Sequence, residues 1–475
     1  MLKPKQFYIF ADFVYYLSYF NVCFFSCPDG GIGRRAGLKN QWEFSLAGSI
    51  PAPGTSFIDI RIFTLKSFDS GLVKPKIKRM KKISVFAATV MLCVGSYAQQ
   101  ALWGGQEIIS PEIHSNNSVT FRFAAPDAKK VELTGDFLPT EKKQSPMGAY
   151  DAPGVVLMTK NDKGVWEYTT ETLAPELYGY SFILDGVKVT DPNNVYMNRD
   201  VSTVTNIFIV EGDRADLYKV NDVPHGTVAR RWYDSPGLGM KRRMTIYTPP
   251  GYEESTNEYP VLYLLHGAGG DEEAWIALGR TAQIMDNLIA SGKAKPMIVV
   301  MTNGNAGQKA APGEWERGMY KPSFMGDTRM DGAFEESFPD VWKFIEKNYR
   351  VVKSKSGRAI AGLSMGGYHS FHISKEYPDM FDYVGLFSAA IMPREGVTSK
   401  VYENLDEKLK AQFSKKPKLY WIAIGNTDFL YQANVDLRKK LDENKYPYTY
   451  YETGEGHIWK NWRIYLSEFV PMLFK

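Results

Sequence analysis

Arg358-Ala359-Ile360-Ala361-Gly362-Leu363-Ser364-Met365-Gly366-Gly367 is the stretch whose reading decides the fold. A short apolar run enters Gly-x-Ser-x-Gly and a helix-forming stretch leaves it. That is the pattern of a strand turning sharply into a helix, with a serine at the apex. Gly362 and Gly366 suit a turn too tight for side chains to crowd beside the serine. On average composition three fixed positions recur by accident in roughly one chain in six of this length. The surroundings therefore have to carry the reading.

Working outward, residues 228–475 alternate between short apolar runs and amphipathic stretches. Strands are expected at Met244–Tyr247, Val261–Leu265, Met297–Met301, Ala359–Ala361, Tyr383–Phe387, Leu419–Ile424 and Tyr448–Glu452. Helices fit Ala282–Ala290, Phe338–Asn348, Gly367–Glu376, Val435–Asn444 and Trp462–Leu473, with Ile284, Leu288 and Ile289 at helical spacing. The alternation predicts an α/β domain with a mostly parallel sheet covered on both faces.

A serine hydroxyl is a weak nucleophile at neutral pH and needs an adjacent base, itself oriented by a carboxylate. In this strand-to-helix setting the acid and then the histidine follow the serine in the chain. Three histidines follow Ser364, and His369 and His372 ride away on the outgoing helix at about 1.5 Å per residue. That leaves His457, in the loop Gly454-Glu455-Gly456-His457-Ile458-Trp459. The acid is expected to be Asp428, just past the strand ending at Ile424, while Asp406, Asp436 and Asp442 fall in charged helical surroundings. A tetrahedral intermediate also needs two backbone donors. One is expected at the Met365 amide, and the other in His266-Gly267-Ala268-Gly269-Gly270, at Ala268 with Gly267 as the fallback. His266 reads as structural.

Upstream, residues 99–220 switch to a period of two, as in Val119-Thr120-Phe121-Arg122-Phe123 and Trp166-Glu167-Tyr168. Asp185-Gly186 reads as a two-residue hairpin turn. Short strands at this spacing predict an all-β sandwich, with residues 216–227 as a linker. Val131-Glu132-Leu133-Thr134-Gly135-Asp136-Phe137, Tyr178-Gly179-Tyr180-Ser181-Phe182 and Asp191-Pro192 resemble the immunoglobulin-like module related to glycogen-binding domains. Trp166, Tyr178 and Tyr180 are candidates for stacking on sugar rings and better candidates for strand core.

Further upstream, Met80-Lys81-Lys82, the apolar run Ile83–Val94 and Ser96-Tyr97-Ala98 form a secretory signal peptide at residues 80–98, cut before Gln99. A secreted or periplasmic protein is expected. Residues 1–79 then read as spurious upstream translation from a misplaced start codon, because Pro28–Arg35 and Gly48-Ser49-Ile50-Pro51 resemble a transfer-RNA gene read as protein. Residues 1–98 hold 13 Lys and Arg against 5 Asp and Glu, so the remaining body carries 44 against 48 and has no basic footprint for nucleic acid. Cys23, Cys27 and Cys93 all precede residue 99, which leaves the body without disulfide or thiolate chemistry.

Three motifs then act together. Tyr263-Leu264-Leu265-His266-Gly267-Ala268-Gly269-Gly270, Ala361-Gly362-Leu363-Ser364-Met365-Gly366-Gly367 and Gly456-His457-Ile458-Trp459-Lys460-Asn461-Trp462-Arg463 resemble the esterase-D-type α/β-hydrolases, and within them carbohydrate esterase family 1. The resemblance implies an α/β-hydrolase fold and a feruloyl or acetylxylan esterase, with Ser364 as nucleophile, His457 as base and Asp428 as its acid. It implies an esterified plant polysaccharide as partner, no cofactor, and often a glycogen-binding-like module in front. Trp315, Tyr320 and Trp459 are expected to line the acyl site, the first two in the aperiodic stretch from Asn303 to Gly332, with Phe324 and Met325 nearby. Six scattered histidines give no metal-ligand spacing, so no metal is expected. No membrane span is expected in the mature chain. Two other readings remain open: an enterobactin-type siderophore esterase, and a catalytically silent glycan-binding protein on a hydrolase scaffold.

Overall fold

The computed structural model describes residues 108–145, 148–324, 329–393 and 395–475. Residues 1–79, the signal segment 80–98 with its cut site, all three cysteines and Met325 lie outside the described residues.

Eight strands form the central sheet: β1 (Thr227–Ser235), β2 (Met240–Thr248), β3 (Val261–Leu265), β4 (Ile298–Thr302), β5 (Arg358–Leu363), β6 (Tyr383–Phe387), β7 (Leu419–Gly425) and β8 (Thr449–Thr453). Their spatial order is β1-β2-β4-β3-β5-β6-β7-β8. β1 and β2 pair antiparallel, β2 meets β4 antiparallel, and from β4 onward every pairing is parallel. Buried parallel strands carry near-continuous apolar runs because both faces are covered. β3, β4 and β6 are buried at every residue, as expected from their sequences. β1 was not legible. Its string Thr-Val-Ala-Arg-Arg-Trp-Tyr-Asp-Ser alternates around arginines, which suits an edge strand facing water.

The helices are α1 (Ala274–Ala277), α2 (Thr281–Ala290), α3 (Ala333–Asn348), α4 (Met365–Glu376), α5 (Leu405–Ser414), α6 (Tyr431–Glu443) and α7 (Trp459–Phe469). α3 starts a turn earlier than Phe338, because Pro339 is accommodated inside the helix rather than opening it. Two apolar layers flank the sheet. One is built on Tyr263, Ile360, Phe334, Phe338 and Phe371, the other on Leu262, Leu264, Trp421, Tyr465 and Phe469. Together they hold β5 and its following turn rigid from both sides.

Before this domain lies an all-β region. Strands Glu112–Ile113, Val119–Ala124, Val165–Thr169 and Thr159–Lys160 make one sheet. A second runs Met197–Asp200, Thr203–Val210, Glu176–Leu184, Val131–Gly135 and Val155–Leu157, with Val187–Val189 pairing Glu176–Leu184, and Thr140–Ser145 pairs with Gly148–Pro153 as a two-stranded ribbon. Asp185 and Gly186 both have positive φ and join Leu184 to Val187 as a tight hairpin. Trp166, Tyr178 and Tyr180 are core, packed with Phe121, Phe182 and Phe208. Residues 216–227 are not a free linker: a short helical turn, Asp213–Leu217, buries Ala215 and leads into the fully buried Tyr218. Both residues join the second apolar layer of the hydrolase domain. The buried ion pair of Arg463 on α7 with Glu176, at 2.9 Å, ties the same seam.

Candidate active site

The carboxyl ends of β3, β5, β7 and β8 all open on one edge of the sheet, because those strands run parallel. Ser364 stands where β5 becomes α4, with φ 53° and ψ −114°. A non-glycine residue there is strained by about 1–3 kcal/mol. The surroundings over-determine it: the Ser364 amide donates to Phe387 O at 2.9 Å, and Ser364 O accepts from Tyr368 and Ala390 amides. Gly362 and Gly366 are needed for close approach. A Cβ on Gly366 would stand 2.2 Å from Leu265 O, and one on Gly362 would stand 2.4 Å from the Gly366 carbonyl.

Two strands further along, the loops after β7 and β8 are stitched together by Asn426 N to Thr453 O at 2.9 Å and Thr427 N to Glu455 O at 3.1 Å. This brings His457 Nδ1 to 2.9 Å from Asp428 Oδ2. The other carboxylate oxygen, Oδ1, accepts the Leu430 amide at 2.9 Å. With Nδ1 donating to the carboxylate, the neutral ring keeps Nε2 as an acceptor. Asp428 is buried, while the His457 side chain keeps 15% exposure. Phe429 and Trp462 hold its ring, at centroid distances of 4.5 and 4.9 Å. Among the described residues, no hydrogen bond joins Ser364 Oγ to His457.

The loop after β3 carries Gly267 and Ala268, the residues expected to donate. Gly270 N donates to Gly267 O, closing a turn, and among the described residues the Gly267, Ala268 and Met365 amides have no backbone partner. Ala268 packs against the small apolar cluster of Met330, Met365 and Tyr368, which brings the loop after β3 and the start of α4 together. His266 is structural. Its Nδ1 lies 2.7 Å from Gly267 O, and its Nε2 accepts the Gly304 amide at 2.8 Å. Burial holds the imidazole neutral, pushing its pKa down to about 4.

Asp271-Glu272-Glu273, directly after the donor loop, was not singled out from sequence. Glu272 accepts from Arg243 Nε at 2.7 Å, Glu273 from Arg230 Nε at 2.7 Å, and Asp271 pairs with Arg199. Three consecutive acids directly after a glycine-rich loop were the available signal. His369 and His372 are buried in α4, and His369 Nδ1 pairs with Glu335 at 2.8 Å, behind the serine. Trp315 and Tyr320 pack edge-to-face at 6.2 Å, and Arg317 lies over the Tyr320 ring. Trp459 opens α7 edge-on to Trp275 and Trp462, so much of its surface is taken up by packing. Among the described residues, no group of three or more His, Cys, Asp or Glu is placed to hold a metal, and no helix is long and apolar enough to cross a membrane.

A serine on a strained strand-to-helix apex, beside a sheet of this order and a histidine–aspartate pair on the same edge, defines an α/β-hydrolase. Residues 235–473 match the family described as "Putative esterase", and the chain belongs to that esterase family. It is 33% identical over 298 residues to an endo-1,4-β-xylanase/feruloyl esterase of Xylanibacter ruminicola, covering 61% of this chain and 37% of that protein. It is 30% identical over 219 residues to an esterase of Mycobacterium tuberculosis, covering 44% of this chain and 42% of that one. The chain thus spans about two fifths of the length of these relatives. The crystal structure of an enterobactin esterase from Shigella flexneri matches with a TM-score of 0.51 at 17% identity, covering 74% of this chain and 92% of that one. That match is one of fold, and it takes in more than the hydrolase domain.

Proposed function

We propose that this chain is a secreted serine esterase that releases feruloyl or acetyl groups from plant xylan. The observation that carries the chemistry is the His457–Asp428 pair at 2.9 Å, on the same sheet edge as the strained Ser364. Ser364 Oγ attacks the ester carbonyl, its proton passing to His457 Nε2. Asp428 keeps the ring in that tautomer and offsets the charge of the imidazolium. The oxyanion is met by the Met365 and Ala268 amides, with Gly267 next in line. The alcohol departs with the proton from His457, leaving an acyl-enzyme. A water deprotonated by His457 then cleaves it and restores Ser364. The serine–histidine hydrogen bond forms as substrate seats, since such bonds tighten in the Michaelis complex.

Support for the substrate class comes from the xylanase/feruloyl esterase relative. The test is product analysis on feruloylated and acetylated xylan, with Ser364→Ala as control. Ferulate or acetate released by the parent and absent with the variant is the expected result. Release of neither, with a simple aryl ester still cleaved, would overturn the xylan assignment and leave the esterase. Export through residues 80–98 is part of this reading. N-terminal sequencing of secreted protein is expected to begin at Gln99, and an earlier residue would contradict it.

A further inference from the structure

The tip of the β-region hairpin formed by Met197–Asp200 and Thr203–Val210 reaches the hydrolase domain at the donor loop. Arg199 Nη2 meets Asp271 Oδ2 at 2.5 Å, with the Asp271 side chain only 3% exposed. The same guanidinium donates from Nη1 to Val201 O at 3.0 Å, so one arginine fixes both the tip and the loop. Asp271 uses its other oxygen, Oδ1, to accept the Glu273 amide at 3.0 Å. It therefore shapes the residues leaving the glycine turn. Val201 sits at φ 51°, which is strained for a β-branched residue, and its methyls press on Gly269, where an added Cβ would lie 2.7 Å away. Gly269 is the residue after Ala268 and has φ 77°.

Packing at this corner is incomplete. A cleft of about 530 Å³ opens beside it, walled by Arg199, Val201, Arg230, Arg243, Glu273 and Glu314. The contacts of Arg199 with Asp271 and of Val201 with Gly269 join the hairpin to the loop, and Asn198 Nδ2 donates to Ala277 O on α1 at 3.4 Å. A buried carboxylate stripped of its cation is left uncompensated, and Asp271 directly follows the glycine turn that carries the Ala268 and Gly267 amides.

We infer that Arg199 is a positioning residue: through Asp271, the β-region holds the oxyanion-donor loop in its donating conformation, so this region works in the chemical step and not solely in polysaccharide capture. The inference rests on the esterase reading of Ser364. Its test uses the full chain and a small aryl acetate, too short to reach the β-region's outer surface. Arg199→Ala is expected to lower kcat by about 10- to 100-fold with KM little changed, the scale of a donor displaced by about 1 Å. Affinity for an aryl boronic acid, which forms a tetrahedral anion on the serine, is expected to fall by the same factor. Arg199→Lys keeps the charge and recovers most of both losses.

Parental kcat and boronate affinity in a folded Arg199→Ala would overturn the inference. So would a loss that Arg199→Lys does not recover at unchanged melting temperature. A parent that cleaves no aryl ester speaks against the esterase reading instead, and boronate affinity in the same variants still reports on the loop.

Discussion

Two aspartates make the most instructive contrast in the molecule. Asp191, in the β-region, is 2% exposed and accepts from Ser110 Oγ at 2.7 Å and Tyr180 OH at 2.8 Å, while its other oxygen takes the Asn193 amide. Every branch of that network ends on another protein group. Asp428 is 3% exposed and also accepts a local amide, but its other branch runs into His457. There the network stops at a ring nitrogen on the same sheet edge as the strained serine. A saturated carboxylate network locks a structure. One that ends on an unused acceptor can take a proton, and the molecule uses nearly the same parts for both.

The largest separation between the two comes from the same substitution made twice. Asp428→Asn is expected to cost about 10³- to 10⁴-fold in kcat, because the ring loses its tautomer and charge partner. Asp191→Asn is expected to leave kcat intact and cost about 1–3 kcal/mol of stability from imperfectly satisfied donors. Aryl-ester kinetics and denaturant unfolding on both variants check this, and comparable kcat losses would break the contrast. Next in size is Trp166→Ala, expected to cost about 3–5 kcal/mol by opening a cavity in the β-region core. If Trp166 were instead a sugar platform, stability would hold and polysaccharide binding would fall.

The most gradual effect, spread over a pH range, concerns His266, whose network is also closed. Its pKa is depressed from 6.5 to about 4 by burial. Between those values the unfolded chain binds a proton that the folded chain does not, so folded stability falls as pH drops from about 6.5 to about 4. The full effect is on the order of 3 kcal/mol. Unfolding curves across that window, compared with His266→Gln, are expected to show the slope in the parent and its loss in the variant. Equal slopes would mean that His266 is not held neutral.

The comparison also explains what could be read from the chain. β3 and β6 were legible to the residue, because buried parallel strands are written as unbroken apolar runs. Ser364, Asp428 and His457 were nameable because chain order and elimination leave few candidates. β1 escaped, since an edge strand's arginines mask its period. The turn at Asp213–Leu217 escaped too, because its buried residues, Ala215 and Tyr218, are too few to make a pattern. Contacts such as Arg199 with Asp271, 72 residues apart, depend on docking between sheets, and no local period encodes them.

The central claim is that Ser364 carries the acyl group. Rapid mixing with an activated aryl ester, acid quenching and peptide mass analysis address it directly. The account predicts one acyl group on the peptide containing Ser364, formed in a burst equal to the enzyme concentration and absent in Ser364→Ala. Turnover by Ser364→Ala at the parental rate, or acyl transfer to a different residue, would contradict it.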